Sequence, residues 1–137
     1  MQKLFYIFLL VNSFIFGNIL DSLEIKLSKK EYNAVKLYFD ENSDILSTNP
    51  KMLFIASKTM FYLDDLDMSN KYIIDAIKKD NGNKEYRAFK DKLDYIKKSI
   101  KSARKTFESG DSEMAIKEFS EIANKHPNTA IIYYEIG

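Results

Sequence analysis

The side chains that can carry catalytic or metal-binding chemistry are few in this chain of 137 residues. It has no cysteine and a single histidine, His126, which argues against thiol catalysis, cysteine-ligated zinc and a histidine-based triad. The acidic run at residues 64–67 has the composition of part of a calcium loop. It lacks the glycine and glutamate that such a loop needs, because Asn70 and Ala76 occupy those positions. We therefore predict no enzyme activity, no cofactor and no metal site.

The residues with the clearest binding chemistry are basic and close together in sequence. Lys97, Lys101 and Arg104 are spaced by four and three residues, which places them on one face of a helix. Such a face can attract a carboxylate, or it can simply be solvated. Lys and Arg total 21 against 20 for Asp and Glu, so the net charge is +1. This excess is too small for a dedicated nucleic-acid-binding protein, and we expect a protein partner instead.

The segment 1–17 is predicted to be a signal peptide. Lys3 and the amino terminus supply positive charge, an apolar run follows from Leu4 to Val11, and Gly17 provides a small residue for cleavage. The uncharged stretch ends at Leu20, which is at the short limit for a membrane span. A short uncleaved anchor is the alternative, and membrane contact is expected only through residues 1–20. Either way the chain is predicted to be exported, to the periplasm or the cell envelope.

Beyond Asn18 the sequence predicts an all-α protein. Apolar residues recur every three or four positions, the spacing that lines one face of a helix. Breakers, among them Asn49-Pro50, Gly82 and Gly110, separate segments of about 14 to 26 residues, which are lengths of helices and not of strands. Four glycines and two prolines are too few turn signals for a sandwich or barrel of short strands.

Local patterns predict where several helices begin and end. Ser28 and Glu31 have the spacing of a capping box, which predicts a helix start at Ser28. Asn49 before Pro50 is the pattern of an N-cap followed by the first helical position. Gly82 is predicted to end a helix in the left-handed conformation. His126, beside a proline at a predicted helix end, is expected to be a cap and not a ligand.

One predicted helix, residues 84–109, is longer than the others and carries a heptad stripe. The stripe steps alternately by three and four residues, as in a coiled coil, through Tyr86, Phe89, Leu93, Ile96, Ile100, Ala103 and Phe107. Two interpretations are open. The stripe packs on the preceding helices within the chain, or it forms the seam of a homo-oligomer or of a complex with a partner helix.

The stretch from Ile96 to Thr129 resembles a tetratricopeptide repeat, which is a helix–turn–helix unit of about 34 residues. The matches are the small residues at helix contacts, the glycine of the turn, the aromatic residue and the closing proline: Ala103, Gly110, Ala115, Phe119 and Pro127. Gly137 stands one repeat length after Ala103 and matches the same small position of a further repeat. The last repeat is therefore expected to be incomplete.

Weaker copies of the repeat cover Pro50 to Asn83 and residues 18–49. The repeats that begin at Pro50 and Ile96 are further apart than one repeat length, and the excess of about twelve residues lies in the long helix. Within the repeat at Ile96, serines occupy positions where the family has a large aromatic residue and a leucine. The resemblance implies that residues 18–137 form a TPR-like α-solenoid of antiparallel helix pairs. One helix of this solenoid is long and heptad-patterned. A plain helical bundle is the alternative.

The resemblance also implies a function, a non-enzymatic protein-interaction scaffold of the bacterial cell envelope. In the family the first helix of each repeat lines a groove that holds a partner's peptide or helix. The positions that correspond here are Lys58 and Tyr62 in one repeat and Lys97, Lys101, Arg104 and Glu108 in the next. The asparagines with which some family members clamp a peptide carboxylate have no match. The alternative is a structural homo-oligomer assembled through the stripe of residues 84–109.

Overall fold

The structure, a computed structural model, describes Ile15 and residues 17–136, and this part of the chain is helical with short turns. No strand occurs among these residues, so the all-α prediction is confirmed. Residues 1–14, which make up most of the predicted signal peptide, and Gly137 of the predicted repeat register lie outside the described residues. None of the described helices is long and apolar enough to cross a bilayer.

Eight helices follow one another in the described chain. They are α1 (residues 17–28), α2 (Tyr32–Glu41), α3 (Ser43–Leu46), α4 (Pro50–Tyr62), α5 (Leu66–Lys79), α6 (Lys84–Glu108), α7 (Ser112–Lys125) and α8 (Ala130–Ile136). The long helix predicted over residues 84–109 is confirmed as α6, which has 25 residues.

Asparagine and aspartate side chains begin the helices that form the centre of the molecule. The Asn49 carboxamide accepts from the backbone N–H of Lys51 at 2.8 Å, with Pro50 in the first turn, so the predicted start of α4 is confirmed. Asp111 accepts from the N–H of Met114 at 3.0 Å and begins α7 in the same way. These caps satisfy backbone donors that have no partner within their helix.

Two of the local predictions are wrong. Ser28 does not begin a helix, because α1 extends to this residue and the Ser28 hydroxyl donates to the carbonyl of Ile25 at 2.7 Å. Glu31 precedes α2 without a side-chain cap bond and pairs with a lysine of α1. Gly82 does not adopt the left-handed conformation; Gly110 is the described glycine with a positive φ, of 93°. The helix before Gly82 has already ended at Lys79.

Consecutive helices pack on one another and share one hydrophobic core. The helix α4 is the most enclosed, with nine buried residues among its 13. It packs against α2 on one side and against α5 on the other, and α5, α6, α7 and α8 then follow as successive neighbours. Phe61 of α4 and Ile132 of α8 are among the largest fully buried side chains.

The heptad stripe of α6 packs inside the chain over most of its length. Its members from Tyr86 to Ala103 are buried, except Phe89, which is partly buried with its ring 5.7 Å from that of Phe61. Only Phe107, at the end of the stripe, is largely exposed, at 59 %. The first of the two interpretations therefore describes this structure.

Small buried residues lie at matching places in two helix pairs. In α4 and α5, the Ser57 hydroxyl donates to the carbonyl of Ser69 at 2.7 Å and the Ser69 hydroxyl donates to that of Ser57 at 2.9 Å. In α6 and α7, Ala103 and Ala115 are buried. Each pair has the same sequence separation of twelve. Of the other predicted repeat positions, Phe119 is buried in α7 and Pro127 lies in the exposed turn that follows it.

Candidate functional site

A groove with a volume of about 850 Å³ opens between the α4–α5 turn, the C-terminal half of α6 and the start of α8. Its apolar lining residues are Leu63, Leu66, Ile100 and Ile131, and its charged ones are Asp64, Asp65, Asp67, Lys97, Lys101, Arg104, Lys105 and Glu108. A concave surface of this kind, with apolar side chains among charged ones, is suited to binding a segment of another protein.

The groove brings together four of the six predicted binding residues, which are Lys97, Lys101, Arg104 and Glu108. The other two lie elsewhere. Lys58 and Tyr62 line a separate hollow of about 300 Å³ beside α1. Contacts with aromatic rings hold these two side chains away from the groove. The Lys58 ammonium lies 4.4 Å from the centre of the Phe54 ring, and the Tyr62 ring stacks on that of Tyr32 at 4.8 Å.

Two cations of the groove are held by carboxylates of neighbouring helices. The Lys97 ammonium lies 2.6 Å from a carboxylate oxygen of Asp67, which connects α6 to α5. The Arg104 guanidinium donates twice to one oxygen of Glu135, at 3.1 and 2.5 Å, which connects α6 to α8. The hydrogen bond and charge of Lys97 lower the pKa of Asp67, and the hydrogen bond from Arg104 to Glu135 raises the pKa of Arg104.

Two carboxylates of the groove accept hydrogen bonds from the backbone. Asp64, whose φ of 63° is left-handed, accepts from the N–H of Ile131 at 3.0 Å and so caps the first turn of α8 from a distant part of the chain. Asp65 accepts from the N–H of Met68 at 2.9 Å and begins α5. Both acids position the elements around the groove.

The remaining charged side chains of the groove are free within the described part of the chain. Lys101, Lys105 and Glu108 form no ion pair there, and all three are exposed. They follow one another at intervals of four and three residues along α6. Asp64 and Asp65 accept backbone hydrogen bonds but form no ion pair among the described residues either, so the unpaired charge of the groove is two ammonium groups and three carboxylates.

Sequence reasoning missed several groove residues for identifiable reasons. Lys105 comes four residues after Lys101, so the spacing argument that selected Lys97 and Lys101 would have included it after one more step. Asp64 was noted only as part of the acidic run at residues 64–67. Its bond to Ile131 spans 67 residues, and no local pattern predicts a contact over that separation.

The lone histidine lies outside the groove, as a helix cap. Its backbone N–H donates to Ile122, so the expected capping position at the end of α7 is confirmed. The ring meets Tyr95 edge to face at 5.6 Å. Burial, followed by the positive charges of Lys92 and Lys125, lowers the pKa of His126. Among the described residues no cluster of three or more His, Cys, Asp or Glu side chains is placed to hold a metal ion.

Comparison of the chain with protein-family models, with curated proteins and with solved structures finds no match.

Proposed function

We propose that this chain is a non-enzymatic protein-interaction scaffold of tetratricopeptide type, in which the groove beside α6 binds a peptide or helix of a partner. One observation carries the proposal. Four predicted binding residues of α6 line the same groove as the apolar side chains of Leu66 and Ile131. Charged and apolar groups arranged in this way offer burial for the partner's apolar residues and orientation through its charged ones.

The packing order supports the comparison with repeat proteins. Each helix from α4 to α8 packs on the next one along the chain, as in a solenoid of stacked units. One contact departs from this order, because the Ile131 N–H of α8 donates to Asp64 in the α4–α5 turn. The pairs α4–α5 and α6–α7 place small buried residues at the same separation of twelve, first as Ser57 and Ser69 and then as Ala103 and Ala115. Small residues at such positions let two helices approach closely.

The homo-oligomer alternative receives no such support. A seam through the stripe of α6 needs side chains that are free to meet a second chain, and Leu93, Ile96 and Ile100 are buried in the core of this one. Their transfer to an interface would expose the surfaces of α5 and α7 that they now cover. We therefore propose the groove and not the stripe as the interaction surface.

We propose that the scaffold acts in the periplasm or the cell envelope, on the basis of the segment 1–17. N-terminal sequencing of the protein from fractionated cells tests this. A chain that begins after Gly17 in the exported fraction is expected, because the apolar run from Leu4 to Val11 is followed by this small residue. An intact Met1 on a cytoplasmic protein would contradict the proposal.

Site-specific photo-crosslinking tests the groove itself. A photoreactive residue replaces Lys101 in the groove or, as the matched control, Lys117, which is exposed on α7 and does not line the groove. We expect a discrete crosslinked partner from position 101, none from position 117, and loss of the adduct when a bulky acidic residue replaces Ile131. Equal crosslinking from both positions, or none from position 101, would contradict the proposal.

A further inference from the structure

We infer that the Asp64 side chain is a latch for α8, and that α8 is a wall of the groove which is released when this latch opens while the other helices stay folded. Two observations support this assignment. The α4–α5 turn has an aspartate where the matching α6–α7 turn has a glycine, and the carboxylate of that aspartate is bonded to the first turn of α8.

The α4–α5 and α6–α7 turns have the same backbone geometry. Asp64 stands two residues after the end of α4 and Gly110 two residues after the end of α6, and their φ angles are 63° and 93°. The N–H of each donates to the carbonyl three residues before it, that of Phe61 at 3.2 Å and that of Phe107 at 3.0 Å. The residue after each is an aspartate that begins the next helix. The turns therefore differ in the residue that adopts the left-handed conformation.

A side chain at this position is disfavoured in a way that glycine avoids. The left-handed conformation brings a Cβ close to the following carbonyl oxygen, which is why glycine is the usual residue there. Aspartate tolerates this conformation better than most residues, and here its Oδ1 accepts from the N–H of Ile131 at 3.0 Å. Glycine at position 64 would form the same turn without this bond. We therefore assign the role of Asp64 to its carboxylate.

The helix α8 depends on this bond because it is short and the residue before it does not cap it. It has seven residues, fewer than a helix needs to be stable alone in water. Thr129 directly precedes it and is of a type that commonly caps helices. The Thr129 hydroxyl is nevertheless buried and has no hydrogen-bond partner within the described chain. Asp64 thus satisfies a backbone donor of α8 that Thr129 leaves open.

The latch connects two walls of the groove. Asp64 in the α4–α5 turn and Ile131 in α8 both line it, and their bond joins the two elements. The remaining ties of α8 are its packing on α7, the fully buried side chain of Ile132 and the pair between Arg104 and Glu135. Loss of the latch therefore shifts the balance between a docked and a released α8. A ligand that contacts Ile131 in the groove shifts it toward the docked state.

Hydrogen exchange of the purified full chain, followed by NMR, tests the latch without any partner. The readout is the exchange of the α8 amides beyond Ile131, relative to α4 in the same sample. Asp64→Gly keeps the left-handed turn and removes the acceptor. Lys30→Gly is the matched control, because Lys30 is the other described non-glycine residue with a positive φ, of 62°, and does not line the groove. Asp64→Asn keeps an acceptor oxygen and tolerates the same backbone.

We expect Asp64→Gly to accelerate the relative exchange of α8 by about two- to thirty-fold, the factor that corresponds to the loss of a helix cap. Lys30→Gly should leave it unchanged, and Asp64→Asn should retain most of the protection because asparagine caps about as well as aspartate. An unchanged ratio in Asp64→Gly, an equal rise in Lys30→Gly or an equal rise in Asp64→Asn would each overturn the inference.

Photo-crosslinking from position 101 then tests whether α8 is a wall of the groove, a step that rests on the proposed function. We expect a lower yield of the adduct in Asp64→Gly, because a released α8 withdraws Ile131 from the groove, and an unchanged yield in Asp64→Asn. Faster exchange of α8 with an undiminished yield would contradict the role of α8 as a wall. If the unmodified chain gives no adduct, the proposed function fails, and the exchange experiment still decides the latch.

Discussion

At the scale of single residues, hydrogen bonds and ion pairs of aspartate side chains hold the helices around the groove together. The Asp64 and Asp67 carboxylates accept from Ile131 and Lys97, and these bonds connect the α4–α5 turn and the start of α5 to α8 and α6. The spacing of the α6 cations was predictable, because helix periodicity alone places them on one face. Their partners were not, because each is distant in sequence and is chosen by tertiary packing.

The single histidine gives a pH dependence that can be assigned to one residue. Burial and the charges of Lys92 and Lys125 lower the pKa of His126 from its ordinary value of 6.5. Near pH 6.5 the unfolded chain therefore binds a proton that the folded chain does not yet bind. The contribution of His126 to the free energy of unfolding is fully present above this pH and is lost as the pH decreases through it. We expect the urea midpoint to fall between about pH 7.5 and about pH 5.5, and to fall less in His126→Gln. An unchanged slope in the variant would contradict this assignment.

The buried serine pair predicts a strong dependence of stability on side-chain size. Ser57→Ala removes one hydrogen bond and should cost at most about 1 kcal/mol of unfolding free energy. Ser57→Leu forces α4 and α5 apart and should cost about 2–3 kcal/mol. Ser102→Leu, at an exposed position of α6, is the matched control and should change stability by less than about 0.5 kcal/mol. Equal urea midpoints for the two leucine variants would show that the helices do not approach closely at Ser57.

At the scale of elements, a capping residue marks a helix start where no preceding helix continues through its position. Asn49-Pro50 and Asp111 satisfy this condition, and both begin helices. Ser28 does not satisfy this condition, because α1 already runs through that position. The Ser28 hydroxyl therefore donates to the carbonyl of Ile25 within α1. The break between α2 and α3 at Asn42 was not predicted, since no glycine or proline marks it.

The two turn glycines should respond differently to the same substitution. Gly110 has a φ of 93°, which disfavours any residue with a Cβ, so Gly110→Ala should lower the unfolding free energy by about 1–2 kcal/mol. Gly82 has no positive φ, and a Cβ there would meet nothing closer than 4.0 Å. Gly82→Ala should therefore leave stability unchanged or raise it by about 0.4–1 kcal/mol. Urea unfolding of both variants measures this, and an equal loss in the two would refute the turn geometry.

At the scale of the whole molecule, the all-α class and the length of α6 were predictable from periodicity. The internal use of the heptad stripe was not, because the same spacing serves a core and a coiled coil equally well. In this structure α5 and α7 pack against α6 beside the enclosed helix α4, so the stripe is part of the core. The groove exists because α6 buries this stripe while the face that carries Lys101 and Lys105 stays exposed.

The central claim is that α6 packs its stripe inside one chain and leaves its charged face free for a partner. Light scattering of the purified protein over a range of concentrations tests this most directly, with Phe107→Ser as the comparison, since Phe107 is the exposed member of the stripe at 59 %. We predict the mass of a single chain for both proteins at every concentration. A mass of two or more chains that falls to one in Phe107→Ser would contradict the claim.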